Sequence, residues 1–264
     1  MSRRPRKYDT LIRKLFFDNF DESRRTSRFR RADIQPTAAE VGVDPPQNQA
    51  DLAYYYRHRA PLPDEIDSLL ESGEEWLIGG VGEYYEFRVV KAVSIEPRVG
   101  QYRIKIPDAT PEIIAQHALS DEQALLAKVR VNRLIDIFTG LTAYSLQNHL
   151  RSTVGGNQLE VDELYVAVAK TGAQYVIPVE AKSRGEKLGR LQLTQDAAFC
   201  AERFPNLRCR PVAVQALSDD GIAMFELFVQ GDEINVVDER HYQLVPAKEI
   251  HAEDLARMSR EGSC

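Results

Sequence analysis

Four ionisable side chains, Glu160, Asp162, Glu180 and Lys182, stand within one short stretch of the chain. That stretch, Gln158 to Lys182, reads QLEVDELYVAVAKTGAQYVIPVEAK. Its pattern predicts two strands, Glu160 to Ala169 and Ala173 to Lys182, joined by Lys170-Thr171-Gly172. A three-residue hairpin loop needs a positive φ at its last position, and Gly172 supplies it. Centring the hairpin on Thr171 places Asp162 opposite Glu180 and Glu160 opposite Lys182. Strand side chains alternate faces, so all four then share one face of one hairpin end. A two-residue loop would shift the register by one and send Asp162 to the far side.

Carboxylates converging with an ammonium at a sheet end can hold a hard divalent cation, which takes one or two carboxylates plus waters and substrate phosphate. Such a cation acidifies a bound water and neutralises charge on a scissile phosphate. The lysine can orient that water or stabilise the developing oxyanion. Alternating Glu and Lys is also what a solvated strand face shows. The apolar run Tyr175 to Val179, leading directly into Glu180, argues instead for a site at the edge of a buried sheet.

At these residues the chain resembles the PD-(D/E)XK nuclease superfamily. The matching positions are Asp162, then Glu180-Ala181-Lys182, with Val161 where the family often has proline. The resemblance covers residues 120 to 217, where helix, three strands, helix and strand follow in the order of the nuclease core. It implies an α/β fold: a restriction-endonuclease-like core with a mixed central sheet flanked by helices. It also implies catalytic roles for Asp162, Glu180 and Lys182, and Mg²⁺ or Mn²⁺ as cofactor. Asp162, Glu180 and a helix-borne Glu122 would be the metal ligands, supported by Glu160, Gln192 and Gln195. The stretch from Asp108 through Asp121 to Leu150 is similar to a family of bacterial stand-alone endonucleases.

These residues need elements to carry them. Ser120-Asp-Glu-Gln123 has a capping-box pattern and predicts one helix to Phe138, ended by Gly140. Glu122 lies three, four and seven residues before Leu125, Leu126 and Val129, and so points toward their apolar side; an acid in a first helical turn is equally favoured by the macrodipole. Thr142 to Thr153 alternates as a strand whose polar row Ser145, Gln147, His149 and Arg151 faces either substrate or, as its composition favours, solvent. Leu188 to Phe204 predicts a helix carrying Gln192 and Gln195. A hairpin across Ser218 to Gly221, a strand near Tyr242 to Val245 and a short helix close the chain. Upstream, residues 8–31 hold a short amphipathic helix, 33–50 a second helix ending in Gly42, and 65–72 a third. Strands are expected at Trp76 to Ile78, Tyr84 to Val93 and Tyr102 to Ile106, with Gly79-Gly80-Val-Gly82 as a turn. The division expected is a basic, mainly helical module (1–60), a small β-rich linking region (61–107) and a nuclease domain (108–264).

The 264 residues, 43% hydrophobic and 28% charged, have the composition of a soluble globular chain, with no apolar run long enough to span a membrane. The basic start lacks the apolar segment of a secretory signal. Cys200, Cys209 and Cys264 have no metal spacing and fit reduced thiols in a cytoplasmic protein. The formal charge is −6, yet Met1 to Arg31 carries eleven Lys/Arg against four acids, a local +7 that leaves −13 elsewhere. That segment is either a phosphate grip or a solvated tail. Arg24, Arg25, Arg28, Arg30 and Arg31 lie in it. Arg57 and Arg59 interleave with tyrosines between Leu52 and Arg59, which fits stacking on bases or packing of the small module. Arg184 sits on the polar loop Ser183 to Gly189, suited to lying over DNA. The expected function is therefore a Mg²⁺-dependent DNA endonuclease, in restriction or defence, with a possible homodimer. A junction resolvase or repair nuclease, and a catalytically silent nucleic-acid-binding protein, are the alternatives.

Overall fold

The structure, a computed structural model, describes residues 6–93, 95–117, 122–154, 157–186, 188–231 and 233–261. The chain divides after Ala92 into two compact units. In the first, α1 (Asp9–Phe17), β1 (Phe20–Asp21), β2 (Thr26–Arg30), α2 (Ile34–Glu40), α3 (Ala50–His58), α4 (Asp64–Asp67), β3 (Glu74–Val81) and β4 (Tyr84–Lys91) follow in order. The strands make a four-stranded sheet, β1-β2-β4-β3. Phe29, Ile78, Tyr85 and Phe87 on one face of it bury against Leu11, Ile12, Leu15 and Phe16 of α1. From Arg6 onward the basic segment is therefore folded rather than a tail. β2 pairs with β4 across the expected boundary at residue 60, because Phe29 alternates with Arg28 and Arg30 as a strand must. Gly79 and Gly80 lie within β3, and the turn falls at Gly82 with φ 61°.

The second unit contains β5 (Arg103–Pro107), α5 (Glu112–His117), α6 (Glu122–Val131), α7 (Leu134–Thr139), β6 (Thr142–Val154), β7 (Asn157–Val168), β8 (Gln174–Lys182), α8 (Arg190–Arg203), β9 (Arg208–Cys209), β10 (Val212–Ala216), β11 (Gly221–Gln230), β12 (Glu233–Val245) and α9 (Ala252–Glu261). The main sheet runs β5-β12-β11-β10-β8-β7-β6, with β9 pairing β8 off that path. β8–β10 and β12–β5 are parallel, while β10–β11, β11–β12 and β7–β8 are antiparallel. The fold is thus mixed α/β, with a mixed sheet flanked by helices. Helices α6 and α7 bury Leu125, Leu126, Val129, Leu134 and Ile135 against Ile177, Val179, Val212 and Val214. Phe199 and Cys200 of α8 pack with Val161, Leu164 and Val176. β8 is buried on both faces, which accounts for its near-continuous apolar sequence.

The single helix expected to Phe138 is two. Arg133, at φ 52°, breaks it. The side chain of Asn132 bonds the Lys128 carbonyl, the Thr110 hydroxyl and the N–H of Ala109, ending α6 and tying it to the segment after β5. Gly140 ends α7 at φ 66°, as expected. Ser120 and Asp121 of the capping-box pattern lie outside the described residues.

Candidate active site

The β7–β8 hairpin has the register its loop predicts. Ala169 and Ala173 close the loop by hydrogen bond, Gly172 stands at φ 83°, and the pairs run from Val168–Gln174 to Glu163–Val179. There the ladder stops. Asp162 accepts the backbone N–H of Ala181 at 2.9 Å through its side chain. Leu159, Val161 and Leu164 share one buried cluster, which strict alternation forbids, so the phase of β7 slips by one around Asp162. The slip puts Glu160 on the other face. It meets His149 and Arg151 of β6 at 3.2 Å each, not Lys182. Glu160 accordingly does not join the cluster expected of it.

Lys182 lies at the end of β8, and its ammonium donates to Glu180 at 2.8 Å and to Glu122 of α6 at 3.2 Å. Glu180 is 1% exposed. Burial, then the neighbouring Asp162 charge, pushes its carboxyl well above the usual carboxylate range, against the pull of Lys182. Burial also raises Glu122, with Asp162 adding to the shift and Lys182 opposing it. Burial acts to lower the Lys182 ammonium, but Glu180, Glu122 and Asp162 together outweigh it and hold the proton on.

A fifth member was not anticipated. Asp196 of α8 is 2% exposed. Burial, then Asp162, raises its carboxyl well above the ordinary range, with Lys182 opposing. Its Oδ1 and the Oε2 of Glu180 are buried without a hydrogen-bond partner among the described residues. The sequence signal was present: an acid three residues after Leu193 and four before Cys200 sits in the apolar stripe of its helix. Gln192 and Gln195, the expected supports on α8, are only half-buried. Gln215 of β10 is the parallel partner of Lys182 and donates to the Glu186 carbonyl, tethering the loop after β8. Glu163, fully buried, faces α6 instead and binds Arg130 and Ser145 at 2.7 Å. Ser145, Gln147, His149 and Arg151 are all exposed, as expected of a solvent row, and the Ser145 hydroxyl also reaches in to Glu163.

The arginines expected to grip nucleic acid divide. Arg25 makes a fork to Glu74 at 2.8 and 2.7 Å and donates to the Leu69 carbonyl, so it staples the first unit. Arg57 donates to the Ile78 carbonyl and lies over Tyr85, as does Arg31, so both pack inside the first unit. Arg28 and Arg30 project from the exposed face of β2. Arg28 stacks over Tyr84 with 4.3 Å to the ring centroid, and Arg30 bonds its hydroxyl at 2.9 Å. Arg59 lies over Tyr54. Arg24 and Arg184 are exposed.

The donor set around Lys182 is all oxygen, which suits Mg²⁺ or Mn²⁺. Asp162 keeps one carboxylate oxygen free of the Ala181 bond, and Glu180 and Asp196 each have a buried oxygen without a partner among the described residues. Four carboxyl groups face one ammonium, a charge imbalance that only protons or another cation can correct. Among the described residues no three His, Cys, Asp or Glu side chains converge as a ready chelate. Such a cation would therefore rest on one or two of these carboxylates, with waters completing its shell. Among the described residues no helix is long and apolar enough to cross a membrane. No family model, curated protein or solved structure matches the chain.

Proposed function

We propose that the second unit is a divalent-cation-dependent endonuclease with a PD-(D/E)XK, restriction-endonuclease-like core, hydrolysing phosphodiester bonds in DNA. The observation that carries the reading is the group at the end of β8 in which buried Asp162, Glu180 and Asp196 meet partly buried Lys182 and Glu122, with two carboxylate oxygens that have no hydrogen-bond partner among the described residues. Asp162 and Glu180 are the residues to hold Mg²⁺ or Mn²⁺, with Asp196 and Glu122 adjacent. When bound, the ion supplies an acidified water and neutralises charge on the scissile phosphate. Lys182 keeps its proton, and its ammonium orients the attacking water or balances charge that develops on phosphate oxygens. Glu180 anchors that ammonium, and the Asp162 bond to Ala181 fixes the strand end on which both sit. On this reading the exposed arginines, Arg24, Arg28, Arg30 and Arg59 of the first unit and Arg184 of the second, are the candidates to meet DNA phosphates. A cytoplasmic location, a homodimer and a role in restriction or defence belong to the same reading.

The test is incubation of the pure protein with supercoiled, linear and branched DNA, with Mg²⁺, with Mn²⁺ and with chelator. Cation-dependent cleavage of the supercoiled or linear form supports the endonuclease, and cleavage confined to branched DNA points to a junction resolvase or repair nuclease. A second reading has one observation in its favour. The Lys182 ammonium is already bound to two carboxylates, as in a structural ion-pair network. On that reading the protein binds nucleic acid without cutting it, and no DNA form is cleaved under any condition.

A further inference from the structure

Two cysteines lie outside the proposed catalytic group, and the fold brings them together. Cys200 is near the end of α8, 1% exposed, and packs in one cluster with Val176 of β8. Cys209, on β9, is the parallel Cα partner of that same Val176 and is exposed. Parallel partners direct side chains to the same face of a sheet, so Cys209 points to the face on which α8 and Cys200 lie. α8 also packs directly on β9. The chain between them turns back at once, with the Leu207 N–H bonded to the Phe204 carbonyl. The Cys209 thiol is the largest influence on the Cys200 thiol, ahead of burial, and both push it up. Both cysteines are free.

We propose that Cys200 and Cys209 are a modification site: a dithiol that a peroxide converts to a reversible intramolecular disulfide, clamping the end of α8 to β9. The exposed Cys209 reacts first. Its sulfur takes one peroxide oxygen to become a sulfenic acid, and the other oxygen leaves as water. The Cys200 sulfur then attacks the Cys209 sulfur, the S–O bond breaks, and the hydroxyl departs as water with the proton of the Cys200 thiol. One peroxide is reduced to two waters, and two thiols are oxidised to one disulfide. Cys200 reacts second because burial keeps it from the oxidant in solution, while the oxidised Cys209 sulfur beside it is within its reach. The clamp falls one helical turn beyond Asp196 on the same helix face, so oxidation acts on the helix that carries an acid of the proposed catalytic group.

The experiment uses the full chain with Cys264→Ser, which removes the third thiol. Equimolar hydrogen peroxide is followed by intact mass, thiol titration in denaturant and peptide mapping without reductant. The expected result is loss of two hydrogens, loss of both titratable thiols and one cross-linked peptide pair holding residues 200 and 209, all reversed by dithiothreitol. Adding Cys209→Ser, a change at an exposed position that spares the core, must abolish the cross-link and leave Cys200 a free thiol. Oxidation that stops at a sulfinic acid on Cys209, or a covalent dimer through Cys209 with Cys200 still reduced, overturns the proposal.

Discussion

The Asp162 carboxylate receives the Ala181 N–H at 2.9 Å just beyond the last ladder pair of β7 and β8, Glu163–Val179. A side chain thus takes over a hydrogen bond that the β7 main chain would have made, and it does so beside Glu180. Asp162 has a structural duty as well as its proposed chemical one.

Asp162→Ala separates the two duties. It leaves the buried N–H of Ala181 without an acceptor, at a cost of about 1–3 kcal/mol. It also removes the charge that pushes Glu180 and Asp196 up, which works the other way. The lost hydrogen bond to a charged acceptor outweighs that relief, so denaturant unfolding should show a less stable protein. Asp162→Asn keeps an acceptor oxygen and still removes the charge, so its melting temperature should hold or rise. Both variants should lose Mg²⁺-dependent cleavage of DNA. Cleavage at the wild-type rate by either would remove Asp162 from the site.

Asp196 predicts a pH dependence. Its carboxyl is raised in the folded state, so the folded protein binds its proton more tightly than the unfolded chain does. Stability from this group is complete below the unfolded pKa, about 4, and is lost as pH rises through the folded value. Asp196→Asn should therefore gain stability over wild type as pH increases from about 5 to 8 without added cation. The check is the difference in melting temperature across that range. A difference that does not change with pH would place the raised carboxyl elsewhere.

Part of this site was legible in the sequence, and the reasons are physical. The loop length and Gly172 fix the hairpin register locally, so the approach of Asp162 to the end of β8 could be read. The departure of Glu160 could not, because the phase slip at Asp162 answers to the packing of Leu159 and Val161 beside α8. Residue type alone does not mark Asp196; its burial follows from its position in the apolar stripe of α8, between Leu193 and Cys200. Asn132 looked like one more residue of a long helix. Its role as a C-terminal cap depends on Ala109 and Thr110, distant in sequence. Counting basic residues located the charged segment, but could not tell Arg25, forked onto Glu74, from the outward Arg28.

That last distinction can be measured. Arg28→Ala and Arg30→Ala change exposed side chains on β2 and should weaken DNA binding with little effect on melting. Each should also reduce the slope of log affinity against log salt by about 1, as one phosphate contact is lost. Arg25→Ala should leave that slope unchanged in the folded protein and lower stability, because Glu74 and the Leu69 carbonyl lose their partner. Deleting residues 1–31 should unfold the first unit outright, since it removes Leu11, Leu15, Phe16 and Phe29 from its core. Equal slopes for wild type and the Arg28→Ala, Arg30→Ala double variant would show that this face does not touch DNA.

Lys182 separates the enzyme from the silent binder. Lys182→Ala leaves Glu180, 1% exposed, without its 2.8 Å cation, and removes the bond to Glu122. Breaking a buried pair on one side costs on the order of 3 kcal/mol when the stranded charge stays ionised. Glu180 can escape by taking a proton, since its carboxyl is already raised and loses its one opposing charge. A raised carboxyl costs stability as pH climbs, so the penalty should be small near pH 5 and grow toward pH 8. Turnover should fall by roughly 10²-fold or more, the range for losing one electrostatic or acid–base group. Asp162, Glu180 and Asp196 all remain, so DNA binding supported by Ca²⁺ should survive. Lys182→Arg should not restore the rate, because a planar guanidinium cannot take the place of a compact ammonium between Glu180 and Glu122. Single-turnover cleavage with Mg²⁺, beside binding with Ca²⁺, reads both halves. Equal cleavage by wild type and Lys182→Ala removes the lysine from catalysis. If the wild type itself cuts no DNA form with either Mg²⁺ or Mn²⁺, the ion pairs of Lys182 are structural and the binder reading prevails.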